Sequence, residues 1–145
     1  MTRIINEIRQ LAQGDVPWRD ILLIHASREE IGPILARVNR AFGAGTASTE
    51  RLEVTVDPGQ TDPKNQIRVC SLDAATGLES PIVFLMGAHE LYEQEQSIRL
   101  ADEERAELIR DNTRKLYMAI TRAGQRLVIT YVGPLPEMLT QPASR

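Results

Sequence analysis

Between residues 111 and 133 the chain reads DNTRKLYMAITRAGQRLVITYVG, and its hydrophobic period changes once, around a single glycine. Ile109, Thr113, Leu116, Ile120 and Ala123 follow a 4-3-4-3 spacing that gathers apolar or small residues on one helical face. A face of that kind needs a sheet to cover. Gly124 is expected to stop the helix, because it takes left-handed backbone angles without a Cβ penalty. Beyond it, RLVITYV is β-branched and nearly all apolar, as in a parallel strand covered on both faces. This succession points to an α/β fold. Arg114, Tyr117 and Thr121 share a second helical face, where Tyr117 is expected to pack with its hydroxyl satisfied. Arg122 lies two residues before the glycine.

The remainder supplies the other layers. Ile4, Ile5, Ile8, Leu11 and Ala12 follow the helical period, with Thr2 as the expected cap and Gly14 as the stop. DILLIH at 20–25, IRVCSL at 67–72 and PIVFLM at 81–86 are short apolar runs suited to buried parallel strands. Ser27 and Glu30 have capping-box spacing, ahead of a helix with Ile31, Leu35, Val38 and Phe42 in one stripe. Pro33 requires that helix either to bend or to start late. Residues 43–66, crowded with Gly43, Gly45, Pro58, Gly59 and Pro63, form the loosest stretch, and only LEVTV at 52–56 alternates like a strand. The economical assembly is a three-layer α/β domain with a mostly parallel sheet, spanning residues 1–145 as one unit.

Composition narrows the function classes. The chain has 145 residues, 42% of them hydrophobic, enough for a core without metal or disulfide support. Its one cysteine, Cys70, lies in an apolar run and reads as a small core residue, which excludes a disulfide framework and suits a reducing cytoplasm. No run approaches the ~18 apolar residues of a membrane span, and MTRIINEIRQ lacks a signal peptide's apolar centre. The expectation is a cytoplasmic protein without membrane contact. Seventeen Lys+Arg against 20 Asp+Glu argue against a broad cationic surface, so any nucleic-acid contact must be local. Acids concentrate at 90–107, read as a solvated connection into a helix.

Three segments, in order, resemble motifs of the second RecA-like motor domain of superfamily 1 DNA helicases of the UvrD/Rep/PcrA kind. LYMAITRA at 116–123 resembles the sixth motif, L-Y-V-A-[ILM]-T-R-A; TGLE at 76–79 before PIVF is similar to the fifth; residues 20–27 occupy the place of the fourth. The resemblance implies a RecA-like, P-loop-NTPase-like fold and half of an ATP cleft. Arg122 is implied to reach the γ-phosphate, where a permanently charged planar fork suits phosphoryl transfer. Glu79 is implied to hydrogen-bond the ribose, with Gly77 letting the backbone approach. The implied partners are an N-terminal phosphate-loop motor domain, in the same or another chain, which contributes Mg²⁺ binding, and single-stranded DNA.

Departures from the pattern are specific. The aromatic-arginine pair of the fourth motif is here Ile24-His25; a mostly neutral imidazole replaces only part of an arginine's role, and Arg28 is a substitute one turn on. In the fifth motif, His, Ser and Lys become Asp73, Ala74 and Thr76, and a carboxylate at Asp73 repels a phosphate backbone. No G-x-x-x-x-G-K-[ST] occurs in the 145 residues, and only 43–66 stands where many relatives insert an accessory domain. These observations lead to the C-terminal motor domain of a larger helicase, inactive as an ATPase by itself, with a polar surface around Arg122, Glu79 and His25 at one mouth of the sheet. The alternative is a degenerate RecA-like protein-interaction module, in which Arg122 turns away or is covered. A generic nucleotide-binding α/β protein is disfavoured, since no glycine-rich phosphate loop follows any strand.

Overall fold

The computed structural model describes residues 1–49, 65–75 and 78–140. In chain order the elements are α1 (Thr2–Gln13), β1 (Ile21–His25), α2 (Ile31–Phe42), β2 (Ala47–Thr49), β3 (Ile67–Ser71), β4 (Ser80–Met86), α3 (Ala88–Glu95), α4 (Asp102–Ile120), β5 (Ala123–Thr130) and α5 (Glu137–Thr140). Short 3-10 turns cover Trp18–Asp20, Arg28–Glu30 and Leu72–Ala75. The five strands form one sheet of order β2-β3-β1-β4-β5, and every pairing is parallel. After β1 the chain moves to the β3 side, and after β4 it moves to β5, so the sheet reverses its winding between β1 and β4.

Strand alternation divides the core in two. Ile21, Leu23, Ile67, Val69, Ile82, Phe84 and Met86 pack with Ile4, Ile5 and Ile8 of α1 and with Ile34 and Val38 of α2. Leu22, Ile24, Cys70, Val83 and Leu85 face the other way, onto Leu91 of α3 and Leu116 and Ala119 of α4. Successive side chains of a strand point to opposite faces, which is why the three apolar runs without alternation occupy the sheet interior. Each large side chain buried this way contributes roughly 1.5–3 kcal/mol. The expected three-layer α/β fold is therefore observed, with Cys70 in its core.

Several local expectations need correction. The α4 helix ends at Ile120, where Thr121 N–H donates to Tyr117 O and Arg122 N–H to Ala119 O. Gly124 is consequently the second residue of β5 and not a helix stop. It sits at an irregularity where Ser80 pairs with Ala123 but Ile82 pairs with Arg126, a bulge that gives β5 one residue more than β4. As the edge strand, β5 is only partly buried: Val128 meets one core, Leu127 and Ile129 the other. The buried face of α4 is Asn112, Leu116 and Ala119, rotated from the apolar stripe, while Ile109, Thr113 and Tyr117 are exposed. Its pivot is polar. Asn112 Nδ2 donates to the buried Glu95 carboxylate at 3.1 Å, and Arg105 donates to the carbonyls of Glu95 and Ser97 at 2.9 Å each. Buried polar groups need such partners, so this network, within the acidic stretch, fixes α3 to α4.

Thr2 begins α1 without capping it, and the box of Ser27 and Glu30 does not form. Residues 28–30 make a 3-10 turn and α2 starts late, at Ile31, which puts Pro33 in the first turn where no N–H partner is lost. The strand β2 had no signal of its own, and the strand expected at 52–56 lies outside the described residues.

At the carboxyl end of β1, His25 Nδ1 accepts the Ser27 N–H at 2.9 Å, so the neutral ring carries its proton on Nε2. Gly87 (φ 75°) lies directly against that ring: a Cβ there would stand 2.4 Å from Cε1. Burial lowers the His25 pKa below the ordinary 6.5, against the opposing pull of the Glu90 and Glu30 carboxylates; His89 nearby lowers it further.

Two outcomes follow from this packing. Leu116→Ala is expected to reduce unfolding free energy by about 2–5 kcal/mol in urea titration, as for a fully buried core leucine; an unchanged midpoint would contradict the α4 packing. Because the folded chain resists protonating His25 while the unfolded chain does not, stability falls as pH drops below 6.5. The urea midpoint should decline from pH 7 to pH 5, and His25→Gln should flatten that decline. An equally steep decline in the variant would assign the effect elsewhere.

Candidate functional site

All strands run the same way, so the sheet has an amino rim and a carboxyl rim, each collecting residues from distant parts of the sequence. At the amino rim, the Ser80 N–H donates to the Arg122 carbonyl at 3.0 Å and the Ser80 hydroxyl to the Asp20 carbonyl at 2.6 Å. Arg68 Nη2 donates to the Glu79 carbonyl at 2.8 Å. These bonds hold residues 79–80 and 121–122 side by side. Glu79, Ser80, Pro81, Thr121, Arg122, Gly124 and Gln125 line an open cavity of about 500 Å³.

Arg122 is positioned but not consumed. Its Nε donates to the Met118 carbonyl at 3.1 Å and its Nη2 lies 3.4 Å from the Thr121 hydroxyl. The helix C-terminus thereby holds the near side of the guanidinium, a favourable site for a cation. No carboxylate among the described residues forms an ion pair with it, and it is half-buried. Five donors in a rigid fork leave several for an incoming anion. Glu79 is exposed and lines the same cavity. Gly77 lies outside the described residues.

His25 and Arg28 do not join this group. His25 pairs with Met86, and from Ser80 to Met86 the sheet rises six residues, roughly 20 Å. The single polar mouth expected for Arg122, Glu79 and His25 is thus two rims. The reason is strand direction: Arg122 precedes its strand whereas His25 ends one. At the carboxyl rim His25, Glu30, Gly87 and His89 border a cavity of about 800 Å³ under α1 and α2.

Arg28 turns to Asp73, in the turn after β3, at 3.6 Å. Lys115 of α4 contacts Asp73 at 2.8 Å and Asp111 at 3.1 Å, and Arg114 contacts Asp111 at 2.7 Å. Asp73 and Asp111 hold the Lys115 ammonium protonated above its usual range, and Arg114 and Lys115 depress the Asp111 carboxyl. Lys115 and Arg68 were missed from the sequence. The Asp111/Lys115 spacing of four is a signal for the first; an arginine inside the run IRVCS is the trace of the second. Among the described residues no group of three or more His, Cys, Asp or Glu is arranged to hold a metal, and no helix is long and apolar enough to cross a membrane.

Comparison with known proteins agrees with the fold. A model of the UvrD-like helicase C-terminal domain matches residues 49–133, more than half the chain. The ATP-dependent DNA helicase PcrA of Staphylococcus epidermidis strain RP62A is 36% identical over 80 residues, 54% of this chain and 11% of that protein. PcrA of Staphylococcus aureus strain Mu50 is 35% identical over 81 residues, 55% of this chain and 11% of the helicase. The matched segment thus spans about a tenth of the length of these relatives. The crystal structure of the C-terminal domain of a possible DNA helicase from Lactobacillus plantarum WCFS1 shares the fold, with TM-score 0.60 at 17% identity over 95% of this chain and 70% of that one. The matched stretch contains both Glu79 and Arg122, and the chain belongs to the UvrD-like helicase C-terminal domain family.

Proposed function

We propose that this chain is the second RecA-like motor domain of an ATP-dependent superfamily 1 DNA helicase or translocase, and that its amino rim is one wall of the ATP cleft. The observation that carries this reading is the Arg122 guanidinium: held from behind by Met118 and Thr121, paired with no carboxylate among the described residues, and open to the same cavity as Glu79. Such a group can meet a phosphate arriving on another domain without first breaking an ion pair.

The residues fit half of a nucleotide site. Arg122 supplies a fixed cation for the terminal phosphoryl oxygens, where charge shifts during in-line attack by water. Glu79 supplies an acceptor suited to a ribose hydroxyl. In this reading the metal, the phosphate loop and the attacking water belong to an N-terminal motor domain in the same or another chain. ATP hydrolysis supplies the free energy; closing the cleft is the task of this rim. In this reading residues 1–145 are one motor domain, 43–66 stands where relatives insert an accessory domain, and the assembled motor works on single-stranded DNA in the cytoplasm. His25 and Arg28, at the far rim, have no part in nucleotide contact. The alternative, a degenerate protein-interaction module, expects Arg122 turned away or covered, and a half-buried guanidinium beside Glu79 does not favour it.

In the assembled motor, Arg122→Ala is expected to lower ATP turnover by roughly three orders of magnitude or more, as for loss of an arginine finger; near-normal turnover would remove the role. The 145-residue chain alone is expected to hydrolyse no ATP, and turnover by the pure fragment would contradict the half-site.

A further inference from the structure

Arg68 is the one charge in the strand IRVCS, and its side chain is half-buried. It stands on β3 opposite Leu22, whereas Glu79 immediately precedes β4, and β1 lies between those two strands. The 2.8 Å bond from Arg68 Nη2 to the Glu79 carbonyl therefore ties the first and third of three neighbouring strands. An ionised donor makes such a bond about twice as strong as one between neutral groups. The acceptor matters as much as the reach. Arg68 takes the backbone oxygen of Glu79, and among the described residues no cation forms an ion pair with the Glu79 carboxylate. The residues on either side are held too, Leu78 N–H by the Ala75 carbonyl at 3.1 Å and Ser80 N–H by the Arg122 carbonyl at 3.0 Å. Arg68 supplies the hold on Glu79 itself.

We propose that Arg68 is a positioning residue for the ribose: it fixes the Glu79 backbone so that the carboxylate, left unneutralised, meets a ribose hydroxyl of the bound nucleotide. This inference rests on the reading of the amino rim as the ATP wall. The wall then has two supports. Met118 and Ser80 hold Arg122, which acts on the terminal phosphate, and Arg68 holds Glu79, which acts on the sugar. A contact misplaced by about 1 Å can cost up to about a hundredfold, so a glutamate in an open cavity needs a fixed backbone to discriminate between sugars. Loss of Arg68 should thus weaken nucleotide binding and sugar selectivity while sparing the phosphoryl-transfer step.

The test measures steady-state hydrolysis of ATP, 2′-deoxy-ATP and 3′-deoxy-ATP by the assembled motor. Wild type is expected to favour ATP over at least one analogue by about tenfold in kcat/KM, as for a hydrogen bond to a charged acceptor. Arg68→Met should raise KM for ATP about tenfold, keep kcat within about twofold, and shrink the preference for ATP to about twofold. Arg68→Lys, which keeps the charge and most of the stem, should recover much of that preference. Arg68→Gln, too short to span β1, should behave like the methionine variant and replaces it should methionine disturb β3. Glu79→Ala should erase the preference, and adding Arg68→Met to it should change nothing further, because the two act as one unit. A preference that persists without Arg68 but disappears in Glu79→Ala would overturn the positioning role and leave the ribose contact standing. A wild type with no preference, or a preference that survives Glu79→Ala, would remove the ribose contact and this inference with it. An equal fall in kcat on all three nucleotides would make Arg68 a structural or phosphate-facing residue, which also defeats the proposal.

Discussion

Where β5 enters the sheet beside β4 decides what this domain can do. The Ser80 N–H reaches the carbonyl of Arg122, the last residue before β5, and the Ser80 hydroxyl reaches back to Asp20 at the start of β1. Three strand beginnings are thereby tied at one residue. The bulge that follows lets β5 resume register at Arg126 and carry Leu127, Val128 and Ile129 into the two cores. The backbone at Arg122 is held beside Ser80 because the parallel ladder leaves it little freedom at that point. Without that ladder, a helix-terminal arginine would be one more solvated cation.

Strand direction sorts the polar side chains of this small sheet onto two rims. Residues that precede strands, Glu79 and Arg122, share a wall; residues that follow strands, His25, Arg28 and Asp73, share another, roughly 20 Å away. The helix α4 spans both. Lys115 sits one turn past its middle and Arg122 just beyond its end. The buried Glu95 and Asn112 bond ties the helix to α3.

Most of the architecture was legible in the sequence. Continuous apolar runs at 20–25, 67–72 and 81–86 have no reading other than strands covered on both faces, once helices long enough to cover them are present. Two separate motif-bearing segments drew attention to Glu79 and Arg122, and the Ser80 N–H bond to the Arg122 carbonyl sets those stretches side by side. What escaped was set by tertiary context. The buried face of α4 turned by a fraction of a turn to seat Asn112, a polar residue that an apolar stripe reading discards. The capping box at Ser27 lost to the His25 ring, which took the Ser27 N–H first. The grouping of His25 with Arg122 failed because hydrophobic pattern carries no information on which end of a strand a residue will share with its neighbours. Asp73, read as an isolated repulsive charge, is instead neutralised by two cations from other elements.

The most direct measurement is the position of a non-hydrolysable ATP analogue in the domain docked to a phosphate-loop partner. The terminal phosphate should lie within hydrogen-bonding distance, about 3 Å, of the Arg122 Nη atoms, with the ribose beside Glu79. A nucleotide found instead at the carboxyl rim near His25, or an Arg122 side chain turned into solvent with the cleft closed, would contradict the assignment of the amino rim as the ATP wall.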